Sequence, residues 1–570
     1  MHHPCSTMPR GAALLLAALL LFAAAAESAS AATAPSPTVI VYSATGGGFA
    51  AALAAARGGA AVTLVGATCG GGTGRHIGGM VTGGLSHTDC GNASVIGGIA
   101  REYFERVERQ YPNRSVDPGL QPCTGPPCWL FEPHVAEDVM FAMLAEAHVE
   151  VVTGQEGLAR VDVSAGRVTR LETLAGQTFM GDVFIDGSYE GDLLAAAGAT
   201  MASGREAAAQ YGEAGAGVRP NDTGYEQMPH GINPYWPNGE LLPLITTGAP
   251  LAPAGSADDK LESYSYRLCM TRHPTRRVPV ARPVDYNAST YELFRRVLAA
   301  EPRTGRGTFL GCLGPIPSLN TSGCPPADGE RWCKCDMISG GFLGTDFVGG
   351  SAGWSSANVT ARRAIAAAHA QYVAGVVWFL GNDAAVPPAL RADMAEYGLC
   401  GDEFADTDPP HFPHQLYVRE SRRLVGDFVL TQNAPSAAFR ARSIGLGSYV
   451  YDAHNVQRGV RLNNATRAPE AFNEGEIHQQ GGVTQPPYVL PYDTLLPARA
   501  QLANALAAVP VSASHVAYTS LRMEPTWMIL GHAAGTAAAM AALQCAGNVH
   551  DVNVTALQAL LVAAGQHIAV

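Results

Sequence analysis

Charge is scarce in this sequence: Asp, Glu, Lys and Arg make up 15% of its 570 residues, and the acids prevail to leave a formal net charge of −12. No stretch gathers Lys and Arg at the density a phosphate backbone requires, so general nucleic-acid binding is excluded. Metal-type cysteine patterns are lacking too. Cys333 and Cys335 stand without the repeated Cys-x-x-Cys spacing of a zinc ribbon or ferredoxin-like cluster, and no histidine pair completes them, so no metal is expected. Beyond Gly11 to Ala26 there is no apolar run to suggest a membrane span of about 20 residues, and no solenoid repeat occurs. No carboxylate pair argues by its spacing for glycosidic cleavage.

What is abundant is small. Glycine is present at 64 positions and alanine runs recur, a composition suited to close helix-on-sheet packing and to backbone approach to a ligand. With 47% apolar residues the chain is long enough to bury a large core. Arg10, the apolar run Gly11 to Ala26 and the small residues Ser28-Ala29-Ser30 read as a signal peptide over residues 1–30, with the mature chain starting between Ala31 and Pro35. The expected location is therefore secreted or endomembrane lumen, with no membrane span in the mature chain. Asn-x-Ser/Thr sequons at Asn92, Asn113, Asn221, Asn287, Asn320, Asn358, Asn464 and Asn553 are compatible with that route. Of the 12 cysteines, Cys5 leaves with the signal. Cys123 and Cys128, and the group Cys312, Cys324, Cys333 and Cys335, read as disulfide staples in an oxidising compartment.

From Thr38 the pattern becomes a βαβ unit: an apolar run Thr38 to Tyr42, small residues Ser43 to Gly48, an alanine-rich helix Phe49 to Arg57, and a second apolar run Ala61 to Val65. A glycine cluster at a first strand-to-helix turn is where a nucleotide pyrophosphate can meet unpaired helix N–H groups. Helices are expected around Gly98 to Gln110 and Val135 to Ala147, a hairpin turning at Ala165-Gly166, and a short buried strand Asp182 to Asp186. The centre, Ala202 to Cys335, is rich in Pro, Gly and polar residues and reads as an irregular insertion. Helical signals return at Ala361 to Leu380 and Pro388 to Tyr397, followed near the end by a strand at Ala508 to Val511 and a helix from Pro525 to Leu543.

Several segments, in order, carry a resemblance: Val39 to Tyr42 with its small-residue turn, His76 to Leu85, Phe131 to Glu137, Ile185 to Leu193, Pro413 to Glu420, Gly445 to Tyr449, Asp452 to Arg458, and Ser512 to Ala517 leading into Arg522-Met523-Glu524-Pro525. In these the chain resembles the FAD-dependent oxidoreductase family found often in bacterial secreted proteins, some members of which carry a xanthan-lyase label. It is distantly similar to the heterodisulfide-reductase flavoprotein subunit. The resemblance implies an α/β fold with a Rossmann-like, glutathione-reductase-type FAD/NAD(P)-binding domain made of discontinuous parts. Residues 36–200 would form its N-terminal part and 441–570 its completion, around an inserted mixed α+β substrate or cap region at 201–440.

The same resemblance implies FAD as cofactor, with Ser43, Thr45, Gly47, Gly48, Gly78, Gly79, Met80, Asp186, Gly531 and Ala533 as cofactor-binding positions. Two positions depart from the dinucleotide fingerprint. Ser43 stands at the first glycine, and Gly66 stands where an acid would meet the ribose hydroxyls.

For catalysis, His134, His414, His454 and His515 each lie in one of these segments, and His is the side chain best placed by its ordinary pKa to take a proton. His515, His414 and Arg522 are the leading candidates. Arg419-Glu420 and Arg522-Met523-Glu524 also read as internal ion pairs, and Glu190 and Asp192 as caps of the helix that follows. The expected activity is hydride transfer from a small polar or sugar-like substrate to flavin N5. The alternatives are a polysaccharide lyase-like enzyme and a non-catalytic secreted glycoprotein on a decayed flavoprotein scaffold. Oligomeric state is not legible.

Overall fold

Four of the five residues of the first strand, β1 (Thr38–Tyr42), are buried, as expected of a strand covered on both faces in a parallel sheet. The computed structural model describes residues 36–66, 75–111, 129–219, 226–316, 334–433, 439–478 and 486–569. The expected signal peptide, Cys123, Cys128, Cys324, Cys333, Asn113, Asn221 and Asn320 lie outside the described residues.

From β1 the chain enters helix α1 (Gly46–Arg57) and returns as β2 (Ala61–Val65). Three more strands complete the sheet: β3 (Glu150–Val152), β4 (Val183–Asp186) and β5 (Ala505–Ala507). Their order is β5-β4-β1-β2-β3, all parallel. This is the doubly wound arrangement in which a ligand crevice opens where the strand order reverses beside β1. A three-stranded antiparallel meander, Leu158–Ser164, Arg167–Thr173 and Thr178–Phe179, stands between β3 and β4. Strand β5 starts three residues before the expected Ala508, because Ala505 to Ala507 are the residues in register with Phe184 to Asp186. Pro510, with no N–H to give a ladder, follows close behind.

After β5 come helix α2 (His515–Leu521) and the long helix α3 (Glu524–Gln544). The helix α3 packs along α1 through small residues. A Cβ added at Gly531 would run into the carbonyl of Gly47, and one at Gly535 into the carbonyl of Ala51. Both α3 and the helix Val359–Asn382 are long and apolar enough to cross a membrane by length and composition, but α3 is mostly buried in the fold and the other half-buried.

The central insertion is more regular than its composition suggests. It holds a five-stranded antiparallel sheet ordered Arg277–Val278, Gly398–Cys400, Leu268–Thr271, Lys334–Ser339, Leu310–Ile316. Pro315 sits in the edge strand at a register shift, where a residue without N–H is tolerated. A disulfide, Cys269–Cys400, joins two neighbouring strands at a Cα separation of 5.5 Å; neither residue was singled out in the sequence. Cys90, Cys335 and Cys545 are disulfide-bonded as well.

Candidate functional site

The turn between β1 and α1 is built by close backbone approach. Ser43 adopts a left-handed backbone (φ 74°), the conformation for which the fingerprint glycine is suited and which strains a residue bearing Cβ. Thr45 caps α1, its Oγ1 accepting from the Gly48 N–H at 3.2 Å and donating to the Gly187 carbonyl at 2.6 Å. Gly48 leaves no room for a side chain, since a Cβ there would collide with the Ser43 carbonyl.

A second loop lies against this turn. The Gly78 N–H donates to the Ala44 carbonyl (2.5 Å), and both Gly78 and Gly79 carry positive φ. Met80, fully buried, donates its N–H to the Tyr189 hydroxyl at 3.0 Å. That hydroxyl in turn donates to Glu524 Oε1 at 2.7 Å. Glu524 is the first residue of α3, and its other oxygen, Oε2, is buried without a hydrogen-bond partner. It lies 2.6 Å from where a Cβ on Gly46 would be, beside the N-terminus of α1. Burial pushes the Glu524 carboxyl up to about 8, against the lowering effect of Tyr189, so at neutral pH it is a neutral O–H donor.

Asp186, at the end of β4, turns back on its own loop. Its carboxylate accepts from the Ser188 N–H (2.9 Å), the Ser188 hydroxyl (2.6 Å) and the Leu194 N–H (3.0 Å). Burial pushes it up to about 6 despite those bonds. Asp186 and Ser188 thus cap the helix Asp192–Ala196, which corrects the expectation that Glu190 and Asp192 do so. Asp192 instead holds two arginines, Arg362 (2.7 and 3.0 Å) and Arg422. Gly531 lies in the α1–α3 seam, and Ala533 is fully buried on α3.

The three catalytic candidates fall into two groups. His515, fully buried, has Nδ1 2.8 Å from Glu420 Oε2, while its Nε2 has no partner. Burial raises the Glu420 carboxylate, but His515 and Arg423 outweigh it and hold the group below its ordinary value. Arg422's neighbour Arg423 binds both Glu206 (2.6 Å) and Glu420 (3.3 Å). Arg522 is linked to the same network: it pairs with Asp452 (3.2 Å) and Glu262 (3.4 Å), and the Glu262 N–H donates to Glu420 Oε1 at 3.2 Å. The adjacent-residue ion pairs read from the sequence do not form. Arg419 pairs with Asp346 (3.1 Å), not Glu420, and Glu524 bonds Tyr189, not Arg522.

His414 stands apart, beside the Gly78–Gly84 loop. It stacks on His76 at a centroid distance of 4.1 Å, and its Nε2 is 3.5 Å from Thr82 Oγ1. Burial and the His76 charge hold it well below its ordinary value, so it is neutral. His134 bonds Glu403 (2.8 Å), itself paired with Lys334 (2.8 Å), and His454 bonds Asp346 (2.7 Å).

The model of the family described as FAD dependent oxidoreductase matches residues 38–561. The chain belongs to the FAD dependent oxidoreductase family. Its cofactor is FAD. No match is found among curated proteins. Among solved structures the chain is similar to THI4 of Thermovibrio ammonificans, with 14% identity and a TM-score of 0.20 over 32% of this chain and 66% of that one. It is likewise similar to a single-residue mutant of 2-methyl-3-hydroxypyridine-5-carboxylic acid oxygenase (15%, 0.22, over 30% and 46%) and to L-amino acid deaminase from Proteus vulgaris (13%, 0.19, over 28% and 49%). In each case the chain spans less than two thirds of the other protein's length.

The residues present fit FAD at the glycine turn. The first amides of α1 lack intrahelical acceptors by helix geometry, and the unpartnered Glu524 Oε2 supplies a neutral donor beside them. Gly66 offers no acid to a ribose; its N–H donates to the Val152 carbonyl (2.7 Å) and it contributes only backbone. Glu524 was named in the sequence only as half of an ion pair. Its partner Tyr189 is 335 residues away, a separation no local pattern reveals.

Proposed function

We propose that this chain is a secreted FAD-dependent oxidoreductase that oxidises a small polar or sugar-like substrate. The observation that carries the reading is the buried, unpartnered Glu524 oxygen at the α1 N-terminus, a donor waiting for an acceptor where a nucleotide phosphate belongs. Gly46, Gly47, Thr45 and Glu524 would hold the cofactor at the turn, with Gly78, Gly79 and Met80 closing over it. When bound, FAD supplies an acceptor for a hydride.

His515 is the proposed base. Glu420 fixes its Nδ1–H, which leaves the unpartnered Nε2 lone pair to take the proton released as a substrate hydroxyl or amine is oxidised. Because His515 is fully buried, substrate reaches Nε2 only when the packing around it opens. Arg522, Arg423 and Glu206 hold the dyad in place through Glu262 and Glu420.

Secretion and glycosylation belong to this proposal. The disulfide Cys269–Cys400 supports an oxidising compartment. Asn92, Asn287, Asn358 and Asn553 each cap a helix start through the side-chain carbonyl.

A second reading, a non-catalytic glycoprotein on the same scaffold, is favoured by the bare Gly66 and by the strained Ser43. The absorption spectrum of purified protein decides between them. Bands at roughly 370 and 450 nm that appear in the acid-released fraction support the flavoenzyme. In it His515→Gln is expected to keep the bands but slow substrate bleaching by about 10²- to 10⁴-fold. A colourless protein that takes up no added FAD overturns the first reading in favour of the second.

A further inference from the structure

Away from the flavin turn, Glu226, Asp346 and His454 stand together among the described residues, Asp346 buried and the other two partly buried. We propose that Glu226, Asp346 and His454 form a site for one divalent cation of the manganese class, completed by the side-chain oxygens of Asn455 and Ser263. One donor atom each from Glu226, Asp346 and His454 lie within 4.8 Å of one another. His454 Nδ1 and Asp346 Oδ2 are 2.7 Å apart, joined by a hydrogen bond that the ion would replace.

Two further side-chain oxygens lie beside the two carboxylates, and Asn455 also donates its Nδ2–H to Glu226 Oε2 at 3.4 Å. Asn455 and Ser263, at 3% and 0% exposure, line one small cavity with Glu226 and Asp346, and Asn455 Oδ1 and Ser263 Oγ are buried with no partner. A bare ion, bonded at about 2.1 Å, needs less space than a water.

Glu226 is held in a left-handed backbone (φ 47°), with Asp346, Glu476 and Asp452 as its acidic neighbours. Arg419 offsets part of this charge through Asp346 Oδ1 (3.1 Å), and Arg458 lines the cavity with its guanidinium spent on Asn473 (2.9 Å) and the Leu244 carbonyl (3.1 Å). Two carboxylates, an amide oxygen, a hydroxyl and one imidazole form a mostly hard donor set, which suits Mn²⁺ over the softer thiolate-seeking ions. The second such group among the described residues, Glu132, His134 and Glu403, has both of its carboxylates taken by Lys334, at 2.6 Å from Glu132 and 2.8 Å from Glu403, whereas no Lys or Arg among the described residues pairs with Glu226 in this way. The proposal does not depend on the flavin.

The test uses full-length protein stripped with a chelator and titrated with MnCl₂, read by calorimetry, by the Mn²⁺ electron paramagnetic signal and by the melting temperature. One ion per chain and a melting point raised by a few degrees are expected. Glu226→Gln keeps the side chain's shape and removes the ionisable oxygen pair, and is expected to abolish the Mn²⁺ response while leaving the melting point of the metal-free protein unchanged. Should that variant fail to fold, His454→Gln serves, with affinity expected to fall at least about 10-fold. No stoichiometric binding of Mn²⁺ or Zn²⁺ at millimolar concentration overturns the proposal, as does binding that is unchanged in both variants.

Discussion

The α1–α3 seam and the network around Glu420 are both buried, yet they are held by opposite means. In the seam, Gly47, Ala51, Gly531 and Gly535 bring two helices together by the absence of side chains, with carbonyls facing where a Cβ would stand. In the network, Arg423 and His515 hold the carboxylates of Glu206 and Glu420 with almost no exposure. The seam fails if anything is added and the network if anything is removed. The first is a constraint on volume, the second on charge balance.

That contrast can be broken most severely in the seam. Gly535→Val places a branched side chain against the Ala51 carbonyl and forces α1 from α3; a loss above about 3 kcal/mol is expected, seen as absence of cooperative thermal unfolding. Next, Arg423→Met keeps volume but strands Glu206 and Glu420, with an expected cost of about 3–5 kcal/mol by chemical denaturation. If Arg423→Met proves harmless, the network is packing and the contrast collapses.

The smallest effect is the most diagnostic for the junction of the two helix starts. Glu524, at about 8 in the folded chain against an ordinary 4.5, takes up a proton on folding between those values. Its contribution to stability therefore falls as pH rises from about 4.5 to about 8 and is flat above. Glu524→Gln is expected to flatten the stability–pH curve of the flavin-free protein over that window by on the order of 3 kcal/mol, measured by denaturation at pH 5 and pH 8.

Legibility followed locality. The β1 run, the Ser43 to Gly48 turn and the helix expected from Pro525 to Leu543, found at Glu524–Gln544, could be read because their periodicity and small residues are contiguous. The insertion was read as irregular because its strands are short, interrupted by Pro and Gly, and paired across large separations such as Thr271 with Gly398. His515 and Arg522 were singled out as members of notable segments, but their partners Glu420 and Glu262 could not be assigned. The sequence pairing of Arg419 with Glu420 failed because neighbouring side chains on the extended segment diverge, one toward Asp346 and the other toward His515.

By itself, the order of apolar runs, glycines and motif segments determined the parallel βαβ layer, the return of the C-terminus to it, and membership in a flavin-using family. Only the tertiary structure decided which charges meet. Glu524 became a neutral acid through burial beside Gly46 and Tyr189, and Glu226, Asp346 and His454 became neighbours through folding across more than 200 residues of chain. The reason is physical: secondary structure follows from local periodicity, whereas a pKa or a ligand set depends on desolvation and on groups that only packing brings together.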